Sequence, residues 1–187
     1  DRDMTKRLKS ARFVLLFVVG ALVSVGPILA AGEMTAADRE ALARDYFKAL
    51  ESLDWDKQAT FYTEESVFED PTSVMFGEPW HFVGPEAIVE FWRSSTESSG
   101  TIEVKHDIQR LFVSGPYVVI DFASTVRLTA VMIGFPDEEI SSVIEVSTVL
   151  RIDDGKVLHH LDHADYETAW ADLQAIQARL ESEASAE

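Results

Sequence analysis

The first part of the chain carries apolar side chains at helical spacing. After Thr35, a residue typical of a helix start, a set of apolar residues recurs three or four positions apart: Leu42, Tyr46, Leu50 and Leu53. The same period indicates a short second helix over residues 55–62, and a third helix that follows Gly84-Pro85 and carries Ile88, Phe91 and Trp92 on one face. We therefore predict three helices before residue 100.

From residue 104 onwards the hydrophobic period changes to two, which is typical of strands. The alternation predicts strands over residues 104–113, 117–132, 142–152 and 157–165, with a tight hairpin turn at residues 153–155. A brief strand over residues 66–69 stops at Asp70-Pro71, and residues 77–85 read as a loop. Apolar residues at helical spacing after residue 170 predict a closing helix that ends at about residue 182.

Three helices followed by an antiparallel meander indicate an α+β domain. An antiparallel sheet with one apolar face packs that face on helices. A long, bent sheet that closes over its helices leaves a concave pocket between the two layers, and we expect a ligand to bind there.

Residues 1–31 have the layout of a secretory signal, and we take residues 32–187 as a single domain. Four basic residues between Lys6 and Arg12 precede an apolar stretch over residues 13–30, and small residues follow, while Met4 is the expected start. We predict an exported protein, periplasmic or secreted, with no membrane contact after cleavage. The alternative is an uncleaved segment that anchors the protein in the membrane.

Composition and charge narrow the function classes. The chain has no cysteine, which excludes disulfides, thiolate catalysis and cysteine zinc sites. Residues 1–31 contain five of the 16 basic residues and two of the 33 acidic ones, which leaves a net charge of −20 for residues 32–187. Such a surface repels phosphate groups, so we expect no nucleic acid partner and favour a small apolar or neutral ligand.

The segment from Phe61 to Pro71, with its closing Glu69-Asp70-Pro71, is similar to the base-bearing segment of ketosteroid isomerases. Tyr46 lies 24 residues before Asp70, the separation found there between the oxyanion tyrosine and the base. Over residues 36–166 the chain resembles the nuclear transport factor 2-like superfamily, which includes ketosteroid isomerases and SnoaL-type cyclases. The resemblance implies a cone-shaped, curved antiparallel or mixed sheet on three N-terminal helices, a homodimer, and chemistry without a cofactor.

The resemblance also implies roles for individual residues. Asp70 takes the place of the general base, and the Tyr46 hydroxyl that of the donor to an enolate oxygen. Thr148 stands where the isomerases have a protonated aspartate, which leaves their oxyanion hole incomplete. The candidate substrate-binding residues are Tyr62, Trp92, Phe122, Ser124, Val126 and Thr148. The alternative role for Asp70 is structural, because aspartate before proline is common in turns.

The last predicted strand carries three histidines and two aspartates. Alternation places His160 and Asp162 on one face, and His159, His163 and Asp165 on the other. The resemblance implies that the face with His160 and Asp162 lines the pocket. Three interpretations stay open for the inner pair: pocket acid/base or substrate-binding groups, a satisfied structural pair, or metal ligands. We count His160 and Asp162 as catalytic candidates and expect no metal. His106 is expected on the surface of its strand.

Two functions of different classes follow. The first is an enzyme that transfers a proton on a small apolar carbonyl compound, as an isomerase, cyclase or dehydratase, with Asp70 as base. The second is a non-catalytic module of the same fold that binds a small ligand or forms dimers.

Overall fold

The computed structural model describes residues 34–186, and these residues belong to one compact unit. The predicted signal segment, and with it the choice between a cleaved signal and a membrane anchor, lies outside the described residues. Within the described residues, we find no helix with both the length and the apolar character needed to cross a bilayer.

Four α-helices frame the structure. They are α1 (Ala36–Glu51), α2 (Trp55–Ala59), α3 (Pro85–Ser99) and α4 (Tyr166–Ala184). The first begins as the sequence predicts, because the Thr35 hydroxyl accepts a hydrogen bond from the Asp38 amide and the Asp38 carboxylate accepts one from the Thr35 amide. A reciprocal cap of this kind satisfies two amides that have no partner inside the helix, and contributes about 1 kcal/mol.

Six strands form one curved sheet in the order β2-β1-β6-β5-β4-β3. Their bounds are β1 (Val67–Asp70), β2 (Trp80–Val83), β3 (Thr101–Ser114), β4 (Tyr117–Ala130), β5 (Phe135–Asp153) and β6 (Lys156–Ala164). The meander from β3 to β6 is antiparallel, and β1 joins β6 in parallel, so the predicted α+β fold with a mixed sheet is confirmed. Asp154 and Gly155 both take positive φ angles at the predicted β5–β6 hairpin.

The segment after β1 differs from the sequence prediction. Residues 71–76 form a 3-10 helix, and β2 lies inside the predicted loop, where Phe82 pairs with Phe68 of β1. A strand of four residues is too short to show a clear period of two. The strand predicted over residues 142–152 begins earlier, at Phe135, after a 3-10 turn at Val131–Ile133.

The buried core divides into two clusters. The larger one packs α1 and α3 on the sheet and includes fully buried Tyr46, Phe68 and Ile88. The smaller one joins Leu180 of α4 to Leu128 and other residues at the far end of the sheet. Because α3 and α4 are anchored at different places on the sheet, the space between them remains open as a cavity.

Candidate active site

A cavity of about 320 Å³ lies between the inner face of the sheet and helices α1, α3 and α4. Its wall is largely apolar, and all four tryptophans of the chain contribute to it: Trp55, Trp80, Trp92 and Trp170. A cavity of this size and lining is typical of a site for a small organic molecule.

His160 and Asp162 bring polar groups into this apolar wall. They lie two residues apart on β6, so their side chains share the inner face of the sheet. The ring Nε2 of His160 lies 2.7 Å from Oδ1 of Asp162, and both residues are buried, with exposed fractions of 2% and 8%. A buried polar pair is costly unless hydrogen-bonded, and here each residue meets part of the other's requirement.

Thr148 completes the surroundings of the Asp162 carboxylate. It lies directly opposite Asp162 in the β5–β6 pairing, and its hydroxyl donates to the same Oδ1 atom that meets His160. Both hydrogen bonds end on Oδ1, and among residues 34–186 the second oxygen, Oδ2, has no hydrogen-bond partner. The carboxylate of this cavity-lining residue is thereby held through one oxygen.

A hydrogen-bonded chain of buried hydroxyl and amide groups ends at Nδ1 of His160, the ring nitrogen that does not contact Asp162. The Gln58 amide donates to the Tyr62 hydroxyl at 3.0 Å, the two tyrosine hydroxyls lie 2.7 Å apart, and Tyr46 lies 2.6 Å from Nδ1 of His160. Every donor has an acceptor when Tyr62 donates to Tyr46, Tyr46 donates to Nδ1 of His160, and Nε2 of His160 donates to Asp162. Nδ1 then accepts from Tyr46, and Nε2 carries the proton that it donates to Asp162.

The two tyrosines keep their protons throughout the neutral range. Burial raises the pKa of Tyr46 well above its ordinary value, and the neighbouring Tyr62 adds to the effect. Burial likewise raises the pKa of Tyr62 to about 12. Both hydroxyls are therefore available as donors, and their direction fixes the tautomer of His160.

Asp70, the base expected from the sequence, is held differently. It is fully buried and caps the 3-10 helix: Oδ1 accepts from the amides of Thr72 and Ser73 and from the Thr72 hydroxyl. Oδ2 accepts from the Tyr166 hydroxyl of α4 at 2.5 Å. Tyr166 lines the cavity and Asp70 does not, so the structure does not bring Asp70 to the cavity wall.

The other predicted site residues fall into two groups. Trp92, Phe122, Ser124 and Val126 line the cavity together with His160 and Asp162. Tyr46, Tyr62 and Thr148 are buried and are not part of the lining. Tyr46 contacts His160, Thr148 contacts Asp162, and Tyr62 contacts Tyr46. The Tyr46 hydroxyl is thus committed to Tyr62 and His160.

His106 was expected on the surface, and this expectation is wrong. Its side chain is only 8% exposed, and it lines the cavity from β3. Sequence reasoning missed it because it assigned no inner face to β3. The pairing of His106 with Ser124, which stands on the apolar face of β4, is the signal that identifies the inner position.

On the outer face, Glu69 joins two histidines. His81 lies 2.9 Å from one of its carboxylate oxygens and His159 lies 3.0 Å from the other. Partial burial acts to raise the pKa of Glu69, but the hydrogen bonds with the two histidines outweigh it and lower this pKa. Among residues 34–186 no group of three or more His, Cys, Asp or Glu side chains is arranged to hold a metal ion.

Comparison with known proteins places this geometry in context. The family model of the SnoaL-like domain matches residues 43–160. A candidate SnoaL-like polyketide cyclase from Shewanella putrefaciens is 26% identical, with a TM-score of 0.65 over 77% of this chain and 99% of its own. A second, from Shewanella denitrificans, is 29% identical, with a TM-score of 0.65 over 73% of this chain and 97% of its own.

More distant structures share the fold alone. An LEH-like epoxide hydrolase from M. tuberculosis is 16% identical, with a TM-score of 0.60 over 79% of this chain and 97% of its own. Comparison with curated proteins gives no match.

Proposed function

This chain belongs to the SnoaL-like domain family, within the nuclear transport factor 2-like superfamily, and we propose that it catalyses cofactor-free proton transfer on a small apolar carbonyl compound. The observation that carries the proposal is the Asp162 carboxylate, which lines an apolar cavity with one oxygen bound by His160 and Thr148. A positioned carboxylate beside an apolar ligand is the group that general base catalysis requires.

The proposed first step removes a proton from the carbon next to the carbonyl group. Oδ2 of Asp162 takes the proton, the C–H electron pair forms the enolate, and Asp162 becomes a carboxylic acid. In an isomerisation, Asp162 returns the proton to another carbon of the enolate. In a cyclisation, the enolate attacks a second carbonyl carbon and Asp162 returns the proton to the alkoxide that forms. In a dehydration, the enolate expels hydroxide, which takes the proton from Asp162 and leaves as water. None of these steps needs an external oxidant or reductant.

The other polar residues act through Asp162. His160 and Thr148 fix the direction of its carboxylate, and Tyr46 fixes the tautomer of His160. The proposal thus moves the base from Asp70, favoured by the resemblance, to Asp162. It keeps the reaction class and changes the strand that carries it.

The test uses 2-tetralone, a small apolar ketone, in deuterium oxide. Proton NMR measures the rate at which its α-protons exchange for deuterium. We expect wild-type protein to accelerate the exchange and Asp162→Asn to reduce the catalysed rate by about 10²- to 10⁴-fold, the usual contribution of a general base. Asp107→Asn, at an exposed aspartate of β3, is the matched control and keeps the wild-type rate. Equal rates in wild type and Asp162→Asn contradict the proposal.

The second candidate is a non-catalytic small-ligand-binding module, which the largely apolar wall of the cavity favours. Quenching of tryptophan fluorescence distinguishes it, because all four tryptophans line the cavity. Quenching by 2-tetralone without any exchange above buffer supports the binding module. Export and homodimer formation stay predictions of the sequence.

A further inference from the structure

His106 is a polar group of the cavity that the proposed proton transfer does not use. Its ring stands edge-on to two aromatic rings, with centroids 5.1 Å from Phe47 and 5.1 Å from Phe122. These contacts hold the ring in one position at the cavity wall. A rigid imidazole in an apolar wall is suited to recognition, because little freedom is lost when a ligand binds.

Glu51, at the end of α1, lies beside one nitrogen of the His106 ring. Its carboxylate accepts a hydrogen bond of 2.7 Å from the His106 backbone amide and lies 3.6 Å from the ring Nδ1. Nδ1 is buried and has no hydrogen-bond partner among residues 34–186. The nearby carboxylate favours a proton on Nδ1, which leaves the lone pair on Nε2 of this cavity-lining side chain.

The ring is neutral at neutral pH. Burial lowers the pKa of His106 to about 4, against the opposing charges of Glu51 and, more weakly, Asp162. A neutral imidazole with a free Nε2 accepts a hydrogen bond and donates none there.

His106 and Asp162 occupy different parts of the inner sheet face. His106 pairs with Ser124 on β4, whereas Asp162 connects through Thr148 to Ile120 on the same strand. Two strands therefore separate them, with an offset of four residues along β4. The cavity thus has two polar positions with apolar surface between them.

Ser142 adds a second unpaired group to the His106 side of the cavity. Ser142 lies on β5 opposite Val126 of β4, and Val126 is the next inner-face residue after Ser124 on β4. Its hydroxyl is buried without a hydrogen-bond partner among the described residues, although Ser142 lines the cavity. Buried polar atoms are normally satisfied, so this unpaired hydroxyl of a cavity-lining residue points to a polar group of the ligand.

We propose that Nε2 of His106 accepts a hydrogen bond from a hydroxyl group of the ligand, and that the substrates are hydroxylated carbonyl compounds. The inference rests on the proposed function, which places the carbonyl end of the ligand at Asp162. The hydroxyl then lies at the opposite end of an apolar body, beside His106 and Ser142.

The experiment compares two probes that differ in one hydroxyl group, 6-acetyl-2-naphthol and 2-acetylnaphthalene, by titration calorimetry. We expect wild-type protein to bind the hydroxylated probe about tenfold more tightly, the value of one hydrogen bond to an otherwise unpaired group. His106→Phe removes this preference and leaves the affinity for 2-acetylnaphthalene within about threefold, since the aromatic packing is kept. His163→Phe, at an exposed histidine of β6, is the control and keeps the preference.

His106→Gln tests the same point if the phenylalanine variant is poorly folded. Glutamine offers a neutral acceptor, so we expect part of the preference to remain. Equal binding of the two probes by wild type, binding of neither, or a preference that survives in His106→Phe overturns the inference. Binding needs no proton transfer, so a preference without 2-tetralone exchange refutes only the proposed function, and exchange without a preference refutes only this inference.

Discussion

Asp70 and Asp162 are both buried carboxylates, one at the end of β1 and one on the inner face of β6, and their surroundings differ. Asp70 stands before a 3-10 helix whose first amides have no partner inside the helix and donate to Asp70 instead. The two oxygens of Asp70 accept four hydrogen bonds in all. Asp162 lies within a strand whose amides are paired with the neighbouring strand. Its two partners are side chains, and both meet one oxygen.

The difference shows that two buried aspartates can differ in how many of their oxygens are engaged. A carboxylate whose oxygens accept hydrogen bonds from the residues that follow it stabilises the turn that carries it. A carboxylate held by one oxygen keeps the other for a ligand. The local backbone therefore decides which of the two residues serves the fold and which faces the cavity.

Asp70→Ala has the largest expected effect on stability. The substitution removes the cap of the 3-10 helix and leaves the Tyr166 hydroxyl without its acceptor. We expect the free energy of unfolding to fall by about 2–4 kcal/mol, the combined value of a lost cap and an unpaired buried donor. Urea denaturation measures it. A loss below about 0.5 kcal/mol, the usual effect of a neutral surface substitution, contradicts the structural role of Asp70.

Tyr166→Phe isolates the hydrogen bond between α4 and Asp70, and we expect a loss of about 1–2 kcal/mol at pH 7. Burial and the Asp70 charge raise the pKa of Tyr166 above its ordinary value of 10.0. Its contribution is thus present below pH 10 and is lost at higher pH, as the tyrosine of the unfolded chain ionises. Urea denaturation from pH 7 to 11 tests this, and a difference between the two proteins that grows with pH contradicts it.

Tyr46→Phe is the corresponding change behind Asp162. It removes the hydroxyl that joins Tyr62 to Nδ1 of His160 while the ring packing is kept. Because Tyr46 acts through His160, we expect kcat for 2-tetralone exchange to fall by about tenfold with KM little changed. Tyr117→Phe, at an exposed tyrosine, is the control. An equal rise in KM instead indicates that Tyr46 contacts the ligand directly.

Glu69→Gln has the smallest expected effect, because Glu69 faces outwards one residue before Asp70. Its carboxylate is 37% exposed and its two histidine contacts are screened by water, so we expect a loss below about 1 kcal/mol at pH 7. A lowered pKa stabilises the fold above the ordinary value of 4.5, so the difference from wild type shrinks as the pH falls through that value. Thermal unfolding at pH 7 and pH 3.5 measures it, and a larger loss at pH 3.5 contradicts the assignment.

The sequence alone predicts the parts of the structure that depend on period and on local caps. The Thr35 cap, the hairpin at Asp154-Gly155 and the shared face of His160 and Asp162 all follow from neighbours along the chain. Each of these features is determined within a few residues, so pattern rules describe it well.

The site depends on contacts that the sequence does not contain. The second oxygen of Asp70 is bound by Tyr166, 96 residues later. His106 pairs with Ser124 and contacts Glu51, 55 residues earlier. The Asp-Pro pair indicates a turn, and the resemblance to isomerases added a catalytic role. The 3-10 helix that follows Asp70 supplies the donors that bind its carboxylate.

The most direct measurement is the rate of 2-tetralone proton exchange by Asp70→Asn and Asp162→Asn, measured side by side on protein shown to be folded by circular dichroism. Asparagine keeps the size of both side chains and removes the ability to take a proton. We predict that Asp70→Asn stays within about threefold of wild type and that Asp162→Asn falls by about 10²- to 10⁴-fold. The reverse result, with exchange lost in Asp70→Asn and kept in Asp162→Asn, contradicts the assignment of Asp162 as the base.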